Sequence, residues 1–350
     1  MVNKTLIRKL FMIGAQATGM SFIARGFMGG LGGILMLHRV SAPINTSGIN
    51  NFLCVEPQFL DRLLATLKRD KYRFVCIEEC VDRTERGYVD ERFLAITLDD
   101  GYRDNLIAAA PVFRAHETPY AVYVCPGFVE GTAHLWWDIL ATVISRQDRI
   151  AFNMSEGGVG LDCRTRSQKQ RAYNTLIDHL TTDLDEEAQR QFVKDLADAY
   201  AIDSVQFTRD AIMSWDELRT LDADPLCTIG AHTLNHYNLA RLPEEQARFE
   251  IEQSAQVLQV ELGARPRHFA YPYGGEIAVG EREVRLASEV GYRSAVTTRH
   301  GLIRSTHANH LHALPRVSIN GNYQRAHYVR TMLSGVTVAA SNMGRLTVTT

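Results

Sequence analysis

The chain has 350 residues, 45% of them hydrophobic and 22% charged, with a formal net charge of -2. This is enough material for one large α/β domain or two modest ones, and it lacks the basic excess that a phosphate backbone selects, so nucleic acid is not indicated as a partner. The six cysteines include no Cys-x-x-Cys pair and read as small buried hydrophobes, which leans towards a reducing, cytoplasmic location with at most peripheral membrane association.

Lys4, Arg8 and Lys9 precede an apolar run over residues 10–24 that Gln16, Thr18 and Ser21 interrupt. A basic start before an apolar stretch fits a signal peptide, but Arg25 follows directly and no small-residue cleavage site is evident. The run is also too short and too polar for a membrane span. We read residues 1–32 as an amphipathic segment that packs on the domain or touches a membrane surface.

The first strand is expected over residues 33–40, a continuous apolar run of the kind buried on both faces. A helix follows over 57–69, where Leu60, Leu63, Leu64 and Leu67 form one stripe. Short strands are expected at 73–77 and 93–98, a helix at 103–115 and a strand at 120–125. The alternation implies parallel strands with crossover helices. It resumes with a strand at 228–231, a helix at 244–262, and strands at 269–271, 294–298 and 314–319, a set that suits a (β/α) barrel. Residues 131–205 break the pattern: polar, charged and mostly helical with a Gly-rich interruption at 156–160, they read as an insertion on a domain spanning 33–325. Residues 326–350 read as a small, polar tail.

Three clusters carry chemistry. Thr97-Leu98-Asp99-Asp100-Gly101-Tyr102 places two carboxylates at the end of a hydrophobic strand. Such strand ends form the active-site face of a parallel barrel, and neighbouring side chains diverge there, so one Asp can hold a metal while the other faces substrate. Taken alone, the same residues also suit a turn and a helix cap. His232-Thr233-Leu234-Asn235-His236 has a spacing of four, which on a helical turn puts both imidazoles on one face. Asp100, His232 and His236 together make three protein ligands and leave a position for water, the arrangement of a catalytic metal site. In Phe269-Ala270-Tyr271-Pro272-Tyr273-Gly274-Gly275 an aromatic strand end enters a Pro–Gly turn. That turn can offer a backbone N–H to an oxyanion, and Tyr271 and Tyr273 can stack on sugar rings. Trp136, in Trp136-Trp137-Asp138, is a further candidate for sugar stacking, with packing of the insertion as the competing explanation.

In this order the clusters resemble the polysaccharide deacetylases, the fourth family of carbohydrate esterases, which includes the nodulation-type chitooligosaccharide deacetylases. The family pattern is Thr-Phe-Asp-Asp-Gly, then His-Ser/Thr-x-x-His, then Arg-x-Pro-Tyr-Gly, and the likeness covers about residues 33–320. The resemblance implies a distorted (β/α) barrel of seven or eight strands. It implies Asp99 as general base, a divalent metal (Zn2+, with Co2+ or Ni2+ as alternatives) on Asp100, His232 and His236, and the Tyr273 N–H on the oxyanion. The implied reaction hydrolyses N-acetyl groups of an amino-sugar glycan, of chitooligosaccharide or exopolysaccharide type, and releases acetate.

Two departures from the pattern matter. Ala270 stands where the family has the Arg that orients the base, and Arg316 on a late strand is a candidate to supply that guanidinium. The family's Leu-x-x-His general-acid motif has no convincing C-terminal copy, and His312 is out of phase. Leu35-Met36-Leu37-His38 on the first strand matches it, as in a circular permutation, and names His38 as the acid. Competing readings are a same-fold hydrolase acting on a non-sugar amide and a catalytically silent glycan-binding protein. The intact Asp99, Asp100, His232 and His236 argue against both. Neither the glycan nor the oligomeric state is legible in the sequence.

Overall fold

The computed structural model describes residues 4–43, 47–154 and 157–350. Twelve strands are formed among the described residues: β1 (Gly32–Leu37), β2 (Arg39–Val40), β3 (Cys54–Val55), β4 (Arg73–Phe74), β5 (Phe93–Leu98), β6 (Tyr120–Val124), β7 (Arg149–Met154), β8 (Gly157–Asp162), β9 (Cys227–Ala231), β10 (His268–Ala270), β11 (Ser294–His300) and β12 (Leu314–Ser318). Seven of them, β1, β12, β11, β10, β9, β6 and β5, pair in that order, and β5 returns to β1, which closes a parallel barrel. β4 is an eighth strand that pairs with the beginning of β5, whereas β6 pairs with its end.

The strands alternate as a pleat demands. Ile34, Ala95, Ala121, Tyr123, Ala270, Val296 and Leu314 pack with one another inside the barrel. Leu35, Leu37, Leu94, Ile96, Leu98, Val122 and Val124 pack with the surrounding helices. The helix Pro57–Arg69 turns Phe59, Leu60, Leu63, Leu64 and Leu67 onto this outer layer. The apolar runs therefore read as buried on both faces because one face fills the barrel and the other carries the helices.

The insertion joins adjacent strands β6 and β9 and has its own core, built from Ile139, Leu140, Val143, Ile144, Leu176, Val193 and Leu196. The Gly-rich stretch expected as a break in a helical region is instead part of an antiparallel hairpin, β7 with β8. Glu156, at its turn, lies outside the described residues. The tail also differs from expectation: helices Ala326–Leu333 and Val336–Ser341 form, with Val329, Met332 and Leu333 buried. They pack against two N-terminal helices, Lys4–Ala17 and Met20–Met28. All six cysteines are free.

Candidate active site and metal centre

Barrel register assembles the site. Leu37 pairs with Leu98, and the Asp99 N–H donates to the Leu37 carbonyl, so His38 lies level with Asp99. His38 follows Ile34 and Met36 on the inward phase of its strand, and it lines the cavity that holds Asp99 and Asp100. The helix following the Asp pair fixes its position. Asn105 Nδ2 donates to the His38 carbonyl (2.9 Å), while Asp104 accepts from Arg39 Nε and from the Val40 N–H (both 2.9 Å). That helix widens to a π-helical turn at Asn105–Ala109, an irregularity frequent beside functional sites.

Asp99 is buried and accepts a two-pronged contact from Arg316, Nη1 to Oδ1 and Nη2 to Oδ2, both 2.7 Å. Arg316 is 0% exposed, so it is no surface residue; its Nε donates to the Thr297 carbonyl and its Nη1 also to Thr97 Oγ1. Burial alone would raise the Asp99 carboxyl, but the adjacent guanidinium outweighs it and holds the group below the ordinary carboxylate range. The small side chain of Ala270 faces the same barrel interior. The guanidinium on Asp99 thus comes from β12, two strands away from β10, where the family pattern carries it.

Asp100 Oδ1 lies 3.4 Å from His232 Nε2 and 3.3 Å from His236 Nε2. It is a buried carboxylate oxygen with no hydrogen-bond partner. Two ligands each about 2.0–2.1 Å from a tetrahedral ion stand about 3.3 Å apart, so the spacing suits a divalent ion at its centre. His232 Nδ1 sits 2.8 Å from the Ala270 carbonyl, a contact that makes Nδ1 the donor and leaves the Nε2 lone pair facing Asp100. Burial pushes the His236 imidazole down to about 4, so it is neutral at pH 7. Burial also disfavours protonated His232, but contact with Asp100 outweighs that and raises it. These three residues fit a metal.

The expected helical turn over the His pair does not form. Residues 232–236 are a loop in which Thr233 and His236 both take φ of 59°. Asp100 (φ 74°) and Tyr273 (φ 61°) are left-handed too. Such conformations are uncommon for residues with side chains, and at functional positions they mark backbone held by its surroundings. Thr233 Oγ1 accepts from the His236 N–H (2.9 Å). From the helix Glu244–Leu262, Glu250 grips the loop, accepting from the Asn235 N–H and Asn235 Nδ2 (both 2.8 Å) and, through its own carbonyl, from Leu234 (3.0 Å). Sequence reasoning missed Glu250, although a carboxylate on the same stripe as Ala247, Ile251 and Ser254 was a signal of an inward task. Replacing Glu250 with Ala is expected to weaken metal affinity about 10–100-fold, as for other residues that hold ligands in place. Competition against a chromophoric chelator measures this, and unchanged affinity would show that the loop holds itself.

The cavity above these groups has a volume of about 190 Å³, with Asn50, Phe52, Trp137, Tyr173, Tyr273 and Thr298 on its walls. Tyr273 sits here, its ring 5.4 Å from that of His236. Tyr271 lines the cavity but is only 1% exposed, donates its hydroxyl to the His312 carbonyl (2.8 Å) and packs on Phe269. Its ring is therefore largely taken up by packing. Trp136 also lines the cavity, though it is mostly buried and packs in the insertion core. Its neighbour Trp137 stands against His236 at 4.8 Å and donates to Tyr102 Oη, which donates to Asp138. Phe52, another residue not anticipated, is a half-exposed ring at the cavity mouth. A larger cleft of about 520 Å³ lies on the insertion, lined by Arg149, Phe152 and Phe192, and contains none of these groups.

The family model described as polysaccharide deacetylase matches residues 86–295, more than half of the chain. The chain belongs to the polysaccharide deacetylase family. The match contains Asp99, Asp100, His232, His236 and Tyr273, while His38 and Arg316 lie outside it. No curated protein matches the deacetylase in sequence. Among solved structures it is similar to the Streptococcus pyogenes deacetylase PplD in complex with acetate (18% identity, 86% of this chain and 97% of that one, TM-score 0.58). It is also similar to IcaB from Ammonifex degensii (17%, 87% and 98%, 0.55) and to the BpsB deacetylase domain from Bordetella bronchiseptica (15%, 83% and 96%, 0.51). At these identities the likeness is one of fold.

Proposed function

We propose that this deacetylase removes N-acetyl groups from amino sugars of an oligo- or polysaccharide, with a divalent metal held by Asp100, His232 and His236. The observation that carries the reading is the unpartnered Asp100 Oδ1 between two imidazole Nε2 atoms, one strand-end residue away from a carboxylate locked by a guanidinium. A metal bound there would supply Lewis acidity to the acetyl carbonyl and to water.

The chain's own groups divide the remaining work. Asp99, kept ionised by Arg316, accepts the proton of the attacking water. Both its oxygens stay fixed by the fork, so the base cannot swing away during the transfer. The Tyr273 N–H, in a turn pinned by Thr298 Oγ1 donating to the Tyr273 carbonyl, faces the developing oxyanion. His38 donates a proton to the departing amine. Its place on β1 supports the permuted reading: β1 lies between β12 and β5, so one strand position serves whether its sequence comes first or last. Phe52 at the mouth is a platform for a sugar ring, above the more deeply set Tyr271 and Trp136.

The test is acetate release from chitooligosaccharides by metal-stripped protein after addition of Zn2+, Co2+ or Ni2+. Asp99→Asn and His38→Ala are each expected to reduce the rate about 10²–10⁴-fold, the usual contribution of a positioned acid or base. Full activity without added metal, or in Asp99→Asn, would overturn the assignment. Metal binding without acetate release directs the same assay to exopolysaccharide intermediates.

A further inference from the structure

The two N-terminal helices dock on the domain the wrong way round for a water-facing surface. Their inward side is narrow and made of Met12, Ala15, Ser21 and Ala24. Ser21 Oγ donates to Thr331 Oγ1 (3.3 Å), which in turn reaches Gln16. Their outward side carries Ile7, Leu10, Ile13, Phe22, Ile23 and Phe27, with Phe22 84% and Phe27 81% exposed. An apolar groove of about 300 Å³ runs beside this face, between Ile7 and Phe11 of the first helix and Thr337 and Ala340 near the C-terminus. A contiguous exposed apolar patch of this kind marks an interaction site.

Charge selects the occupant. Glu56 is the first acidic residue of the chain and Glu289 the last. The two N-terminal helices and the two C-terminal helices packed on them therefore carry Lys4, Arg8, Lys9, Arg25 and Arg330 and no Asp or Glu of their own. Arg330 pairs with Asp70 (2.6 Å) and Arg25 donates to the Asp70 carbonyl (3.0 Å), which leaves the first helix, with Lys4, Arg8 and Lys9, as the basic element beside the apolar face in a protein whose overall charge is negative. Outward aromatics beside a basic helix that carries no carboxylate of its own are the features of a segment that lies in the plane of an anionic bilayer. Among the described residues no helix is long and apolar enough to cross a membrane.

We propose that the helices Lys4–Ala17 and Met20–Met28 form a peripheral docking face for an anionic lipid surface. Phe22, Ile23 and Phe27 enter the acyl boundary, and the cations of the first helix meet the headgroups.

Flotation of the full-length protein with vesicles tests this. The protein is expected to float with phosphatidylcholine vesicles containing phosphatidylglycerol, less with pure phosphatidylcholine, and less again in high salt. The double variant Phe22→Ser/Phe27→Ser should lose about tenfold or more in vesicle affinity. It should keep its thermal unfolding temperature and its activity on a soluble substrate, because both rings point away from the fold and the cavity. The proposal is overturned if the wild type stays at the bottom of the gradient, or if the double variant floats equally well. It also falls if the wild type does not float but sediments as a dimer that the double variant dissolves, since the face then belongs to a second copy. Acetate release is a separate readout, so failure of docking and failure of the deacetylase assignment are distinguishable.

Discussion

Arg316→Met is expected to destabilise the protein by about 3–5 kcal/mol, the usual consequence of removing one partner of a buried ion pair. Methionine fills most of the arginine volume, so the loss comes from charge: Asp99 stays buried with no counterion, and Thr97 and the Thr297 carbonyl lose their donors. The pH dependence follows from the depressed Asp99 carboxyl. A group whose folded pKa lies below its unfolded value contributes stability that is complete above the unfolded value, near 3.9, and disappears as pH falls through the folded one. The gap between wild type and variant should therefore be full at neutral pH and narrow in acid. Urea titrations at several pH values measure it. The double variant Asp99→Leu/Arg316→Met, which removes both charges, is expected to recover much of the stability and no activity. If the single variant is as stable as the wild type, the fork does not hold the base.

His232→Ala is expected to reduce metal affinity by more than about 100-fold, beyond what loss of a supporting residue produces. Metal that binds only the folded state stabilises it by about 2.7 kcal/mol at 100 times its Kd. Metal-stripped wild type should accordingly show a rise in Tm on titration with Zn2+, and His232→Ala should show little or none. Imidazoles bind metal only when unprotonated, so the rise should shrink as pH is lowered. An equal rise in the variant would place the metal elsewhere. Asp99→Asn separates the two roles in the site, since it should retain the metal-dependent Tm rise while losing turnover.

Residues whose surroundings are periodic were legible in the sequence. The helix Pro57–Arg69, the strand Phe93–Leu98 and the helix Glu244–Leu262 form where the hydrophobic spacing puts them, because burial on one stripe or on two faces leaves a repeating trace. Arg316 and His38 also drew notice as polar residues in or beside apolar strands, and the structure places Arg316 on Asp99 and His38 on the cavity wall. Segments governed by non-local contacts were harder. The β7–β8 hairpin carries Gly157, Gly158 and Gly160, which suggest a break unless the partner strand is known. The His232–His236 spacing fits a helical turn as well as a loop, and only the grip of Glu250 and the buried Thr233 decides between them. Tyr271 and Trp136 show a related ambiguity: an aromatic ring serves packing or substrate equally well in a sequence, and both residues here line the cavity while lying mostly buried.

The placement of β1 bears on when the enzyme becomes competent during synthesis. β1, which carries His38 at its end, is made first, and its neighbour β12, which carries Arg316, is made last among the strands. Contacts that join such distant parts of a chain form late and slowly. A nascent chain that has reached the end of β11 holds Asp99, Asp100, His232 and His236, but has neither the Arg316 guanidinium that grips Asp99 nor the strand that seals the barrel beside His38. The site is complete only when the two ends of the barrel sequence meet, so topology leaves any nascent chain short of β12 with an open barrel.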